Sequence, residues 1–238
     1  MIFRTALLFS LVAILDVVSY GQCTVSLDDK KRIITTCKFY APNDGLFINR
    51  SDRVQTISQV VYLGSEYFSY PIWQDGTMEV GNAGNSVSCK LAFNLVTNEI
   101  HCQLAGDSRT YIVLPDAFTI GDARFVSQVI NKAGKPERAY FMVLYAGKTR
   151  LLKQIKCTLK QRDNDVYMLE DPFNGTYLRQ HTYYIQRSNE APRLVTLSRK
   201  SVLAVLDDQS GKLTQYLTKK KLTVYELAGA VAYYDGFR

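Results

Sequence analysis

The chain has 238 residues, 47% of them hydrophobic, with only 14 Gly and 6 Pro; that length and composition support one large core or two small ones and exclude extensive disorder. Its formal net charge is +7, and residues 1–149 carry 14 Lys and Arg against 13 Asp and Glu while residues 150–238 carry 15 against 9. A basic face attracts anions at long range, but no nucleic-acid motif accompanies it, so no nucleic-acid partner is expected.

The first segment, MIFRTALLFSLVAILDVVSYGQ, has Arg4 ahead of an apolar run from Ala6 to Leu15 and small residues at Ser19 and Gly21. This is the pattern of a signal peptide over residues 1–21, with cleavage after Gly21 leaving Gln22 as the new N-terminus. No later stretch approaches the roughly 20 apolar residues that span a bilayer, so no transmembrane segment is expected once the signal is removed. Residues 22–56 read as an N-terminal extension, with KRIITTCKFY its clearest strand.

From residue 57 to residue 198 the chain reads as a β-rich domain. Apolar runs such as ISQVVYL, TMEVGN, RTYIVLP, AFTI and RFVSQVI are separated by Gly64, Gly106, Pro115, Gly121 and NKAGKPE, which supply turn chemistry. RAYFMVLY is apolar on both faces, as in a central strand. The turn AGKT joins it to a basic strand from Arg150 to Gln161, followed by QHTYYIQR and RLVTLS.

The stretch SCKLAFNLVTNEIHCQL, residues 88–104, predicts a hairpin. A turn at Asn94, Leu95, Val96 and Thr97 pairs Phe93 with Asn98, Leu91 with Ile100 and Cys89 with Cys102. One face is then apolar and the other polar. Cys89 and Cys102 fall opposite each other, either as a cross-strand disulfide or as two buried reduced thiols. Cys23 and Cys37 form the other nearby pair. That leaves Cys157, which shares an inward face with Leu151, Ile155 and Leu159 and behaves as a small hydrophobe rather than a nucleophile.

After Ser198 the period changes to that of helices. KSVLAVLDD, QSGKLTQYLTKK and TVYELAGAVAYYD predict three short helices in an appendage, residues 199–238, packed on the sheet. Thr223 and Glu226 stand at capping-box spacing, Val224, Leu227, Ala228 and Val231 form a stripe, and Gly236 can end the last helix. The fold class is α+β: a predominantly antiparallel β-meander with three short C-terminal helices. Candidate anion contacts are Arg150, Lys156 and Lys160 on the basic strand, and Lys219, Lys220 and Lys221 between helices.

Catalytic chemistry finds little support. The two histidines, His101 and His181, lack partners at metal-ligand spacing, and no G-x-S-x-G elbow presents a serine. Asp163 and Asp165 in QRDND, and Glu170 and Asp171 in LEDPFNG, sit among turn residues. Neither a calcium loop nor a facing pair of carboxylates is indicated. Asn49 and Asn174 head two sequons that matter only in a eukaryote. No catalytic residue, metal or cofactor is expected.

The run WQDGTMEVGNAGNSVSCKLAFNLVTNEIHCQL, with YIVLPDAF, YFMVLYAGKTRLLKQIKCTL and the closing LSRKSVLAVLDDQSGKLTQYLTKKKLTVYELAGAVAYYD, resembles secreted proteins of unknown function from Bacteroidetes-type bacteria. The similarity covers roughly residues 73–235. It includes the GKTRLLKQ hairpin and the helical positions Lys200, Leu203, Leu206, Leu213 and Tyr216; the five cysteines stand outside it. The resemblance implies an envelope location and carries no functional residues. The expectation is an exported, non-enzymatic module, periplasmic or extracellular, that binds a protein or an envelope component. The alternatives are an envelope hydrolase using Asp163, Asp165 or Glu170, and a surface adhesin or effector.

Overall fold

The computed structural model describes residues 22–40, 57–81, 85–132, 134–162, 172–188 and 190–237. The signal segment, Asn49, Asp163, Asp165, Glu170 and Asp171 lie outside the described residues. The strands are β1 (Gln22–Leu27), β2 (Ile33–Tyr40), β3 (Ile57–Leu63), β4 (Gln74–Val80), β5 (Asn85–Asn94), β6 (Glu99–Gln103) and β7 (Tyr111–Val113). They continue with β8 (Ala117–Ile120), β9 (Ala123–Lys132), β10 (Lys135–Ala146), β11 (Thr149–Gln161), β12 (Gly175–Arg187) and β13 (Arg193–Val195). The helices are α1 (Arg199–Val205), α2 (Ser210–Tyr216) and α3 (Val224–Asp235). The α+β class is as expected.

All these strands belong to one sheet, ordered β1-β2-β3-β12-β11-β10-β9-β8-β4-β5-β6-β7, with β13 beside β12. Neighbours pair antiparallel except β3 and β12, which run parallel over Tyr62↔Gly175 and Leu63↔Thr176. The meander is therefore interleaved. β8 to β12 follow one another, while the chain leaving β3 crosses to β4, which pairs with the outer edge of β8.

The sheet is curled. β5 and β10 are four steps apart in strand order, about 19 Å in a flat sheet at ~4.8 Å per step. Yet the rings of Phe93 on β5 and Tyr140 on β10 lie 5.9 Å apart. Phe118 and Phe125 stack on each other between them at 4.8 Å and meet Phe93 edge-to-face, and aromatic pairing of this kind adds to the area each ring buries. Leu91, Ile100 and Cys102 complete this inner cluster.

Leu151 and Ile155 lie four residues apart on β11 and so point to the same side. Ile155 joins the inner cluster, whereas Leu151, with Ile185, packs under the helices against Leu206, Leu213, Leu227 and Tyr234. The helices thus cover one end of the face that the aromatic cluster fills at the other. Phe141 and Leu152 form a smaller cluster on the opposite face.

Local chemistry explains the element ends. Ser198 caps α1 by accepting from the Ser201 N–H, and Thr223 and Glu226 form the expected capping box at the start of α3. Gly236 follows α3 as anticipated, and the stripe buried beneath the helix is Leu227, Ala230, Val231 and Tyr234. β1 exposes five of its six residues, so burial holds it weakly. It is tied instead by the Cys23–Cys37 disulfide to the residue directly opposite on β2. A closed loop of this size stabilises by about 3 kcal/mol.

The hairpin of β5 and β6 corrects the expected register. Leu91 pairs with Cys102 and Phe93 with Ile100, a slip of two residues from Leu91 opposite Ile100. A slip of two preserves which face each side chain takes, so the apolar face is as anticipated while the pairing is not. The slip follows from the turn: Asn94 Oδ1 accepts from the N–H groups of Val96 and Thr97 at 2.9 and 3.2 Å, and Asn98 adopts φ 60°. Cys89 therefore stands diagonal to Cys102, and the proposed bridge is absent: Cys89, Cys102 and Cys157 are buried free thiols.

Candidate functional site: a fork between two strands

β10 and β11 pair only at one end, from Ala146↔Arg150 to Met142↔Lys153, across a β-bulge at Val143 and Tyr145. A bulge bends its strand and disrupts the ladder. Beyond Lys153 the two strands part. β10 continues beside β9 down to Lys135, and β11 continues beside β12 to Gln161.

The tip of the β5–β6 hairpin reaches into this fork. Asn98 Nδ2 donates to the Arg138 carbonyl at 3.1 Å. The segment after β3 straps the tip down: Leu95 N–H donates to Glu66 O and Phe68 N–H to Phe93 O, both at 2.8 Å. Arg179 on β12 holds the strap, donating to Phe68 O at 3.0 Å and Tyr67 O at 2.6 Å.

A cavity of about 180 Å³ remains, lined by Leu95, Val96 and Asn98 from the tip, Glu137 and Ala139 from β10, and residues 154–158 of β11. Its floor is apolar, with Ala139, Ile155 and Cys157 buried, and its rim carries one acid and one base, Glu137 and Lys156. In an antiparallel strand, backbone groups point alternately to the two neighbours. Along residues 154–158 half of them therefore face the fork, where no strand among the described residues pairs with them. Burial pushes the Cys157 thiol up, which keeps it protonated, and it donates to Ser65 O at 3.8 Å.

The anticipated anion contacts are dispersed. Arg150, Lys156 and Lys160 share the face of β11 that also carries buried Leu152 and Gln154, and of the three only Lys156 borders the cavity. Lys219 pairs with Glu226 at 2.7 Å, while Lys220 and Lys221 are exposed beside it. No ion pair among the described residues joins the strand set to the helical set.

A different basic group was not anticipated. Lys153, Arg179 and His181 lie on the inner face, since Lys153 is opposite Tyr183, Ile155 opposite His181 and Cys157 opposite Arg179. Burial, then the Arg179 charge, lowers the Lys153 pKa; burial, then Lys153 and Arg179, lowers that of His181. The sequence signal was present: Lys153 is the charged position in the inward-facing set of β11. His101 lies on β6, beside Glu99 and edge-on to the Tyr67 ring. Among the described residues no cluster of His, Cys, Asp or Glu could hold a metal, and no helix is long and apolar enough to cross a membrane. No family model, curated protein or solved structure matches the chain.

Proposed function

We propose that this is an exported, non-enzymatic module of the cell envelope, which binds an extended segment of a partner protein as an added strand in the fork between β10 and β11. The observation that carries the reading is the end of β10–β11 pairing at Lys153, with β11 running on for eight residues. Strand addition draws affinity from main-chain hydrogen bonds and specificity from pockets for alternate side chains. The cavity beside Ile155 and Cys157 provides such a pocket. Export is supported by the N-terminal signal pattern and by the Cys23–Cys37 disulfide, which suits an oxidising compartment.

Amide hydrogen exchange tests this in two stages. In the isolated protein, the fork-facing amides of residues 154–158 should exchange much faster than their neighbours bonded to β12. A partner captured from the host envelope by crosslinking should slow exchange at these residues and at 137–141. Fork-facing amides already protected in the isolated protein, or a partner that protects other residues only, would remove strand addition as the mode of binding.

A further inference from the structure

Three basic side chains meet on the inner face of β11 and β12, and their spacing follows from the register. Arg179 and His181 are two residues apart on one strand, about 7 Å along one face. Lys153 is the diagonal cross-strand neighbour of His181, since Ile155 stands directly opposite it, a relation that brings side chains within reach of each other. Like charges in such positions destabilise one another.

Among the described residues no carboxylate forms an ion pair with any of the three, although Glu66 in the strap bears on Cys157, which stands directly opposite Arg179. Lys153 makes neither an ion pair nor a hydrogen bond there, and Arg179 spends its terminal nitrogens on the neutral carbonyls of Tyr67 and Phe68. Glu66 is the nearest acid in the strap, and it bears on Cys157, Tyr67 and Tyr177 rather than on Lys153 or His181. Around the trio stand Met142 on β10 and Ile155 and Tyr183 on β11 and β12, between the aromatic cluster and the cluster under the helices.

We propose that Lys153, Arg179 and His181 form a binding site for a phosphate group on the inner face of the sheet, separate from the fork and independent of strand addition. Arg179 is held by the strap, Lys153 supplies a half-buried ammonium and His181 an exposed imidazole that donates two hydrogen bonds when protonated. The oxyanion replaces the missing counter-charge. It therefore favours protonated His181, and binding tightens as pH falls through the titration of that residue.

The sequence has only two histidines, so proton NMR of the secreted chain resolves the titration directly, with H101Q assigning the resonances. The pH midpoint of His181 is compared in inorganic phosphate and in sodium chloride of equal ionic strength. Phosphate should raise it by about one unit, the shift produced by a tenfold preference for the protonated form, while the His101 midpoint stays put. K153Q should diminish the shift, and K153R should retain it. Equal midpoints in the two salts would overturn the site without recourse to any variant, as would a full shift in K153Q. A short-chain phosphatidate added in place of phosphate separates the two sources. A shift at far lower concentration assigns a lipid headgroup whose chains lie on the apolar flanks; equal potency assigns free phosphate.

Discussion

The carboxylate of Asp235, in the last turn of α3, accepts from the Thr149 N–H with both oxygens, at 3.1 and 3.0 Å. Residues 86 positions apart are thereby joined, and the turn between β10 and β11 is pinned to the helical appendage. Gly147 allows the approach, because a Cβ there would collide with Asp235 Oδ2 and Tyr145. D235A should lower unfolding stability by about 1–3 kcal/mol, the cost of leaving a buried donor unsatisfied, and G147A should lower it too. Urea unfolding midpoints measure both; an unchanged midpoint for D235A would mean that water replaces the carboxylate at no cost.

The free thiols should be inert in the folded protein. Burial, reinforced by the adjacent Cys102, pushes the Cys89 pKa up to about 12, far above the range in which thiolates form at neutral pH. Iodoacetamide should leave the native chain unmodified, label three cysteines after denaturation without reductant, and label all five after reduction. Mass spectrometry reads the count. One label instead of three would mean that Cys89 and Cys102 become bridged in solution.

Gly76 occupies a point of close backbone approach on β4. A Cβ there would strike the Thr119 carbonyl and come within 2.9 Å of Leu91 Cδ1. Because the first obstacle is backbone, it cannot rotate away. G76A should force β4 from β8, lowering the thermal midpoint by several degrees (order of magnitude for 1–3 kcal/mol of overpacking).

Acid should loosen the appendage through Glu226. Hydrogen bonds from Lys219 first, then Thr223, lower its pKa from the ordinary 4.5 to about 2. A depressed pKa means that the folded state favours the carboxylate, so the stabilisation is present above pH 4.5 and is lost as pH falls toward 2. Stability measured against pH should decline across that window, and the decline should be shallower in E226Q. Identical acid limbs would show that other carboxylates set the response.

Strand identity was legible because alternation survives any strand order: AFTI is β8 residue for residue, and the basic strand is β11 to within a residue. The capping box was legible because Thr223 and Glu226 act within one turn. Register was less so. With a period of two, pairing Leu91 with Ile100 or with Cys102 buries the same side chains, and the choice fell to Asn94 and Asn98 in the turn. The fork was not legible at all. It depends on the hairpin tip at Asn98 meeting Arg138 forty residues later, and local sequence carries no record of that encounter. Lys153, by contrast, was legible in the alternation, as the charged residue in the inward-facing set Leu151, Lys153, Ile155 and Cys157.

The parallel contact of β3 with β12 spans two residue pairs, beside thirteen between β11 and β12. Asn174 adds to it, accepting from the Val61 N–H through its side chain and donating its own N–H to Val61 O, both at 2.8 Å. Tension applied at Gln22 reaches the rest of the sheet through this short joint and through the strap that follows β3. The disulfide between β1 and β2 and the ladder between β2 and β3 make these strands one block, which should part from β12 before the long β11–β12 ladder yields and pass its load along the strap to Arg179 and the hairpin tip.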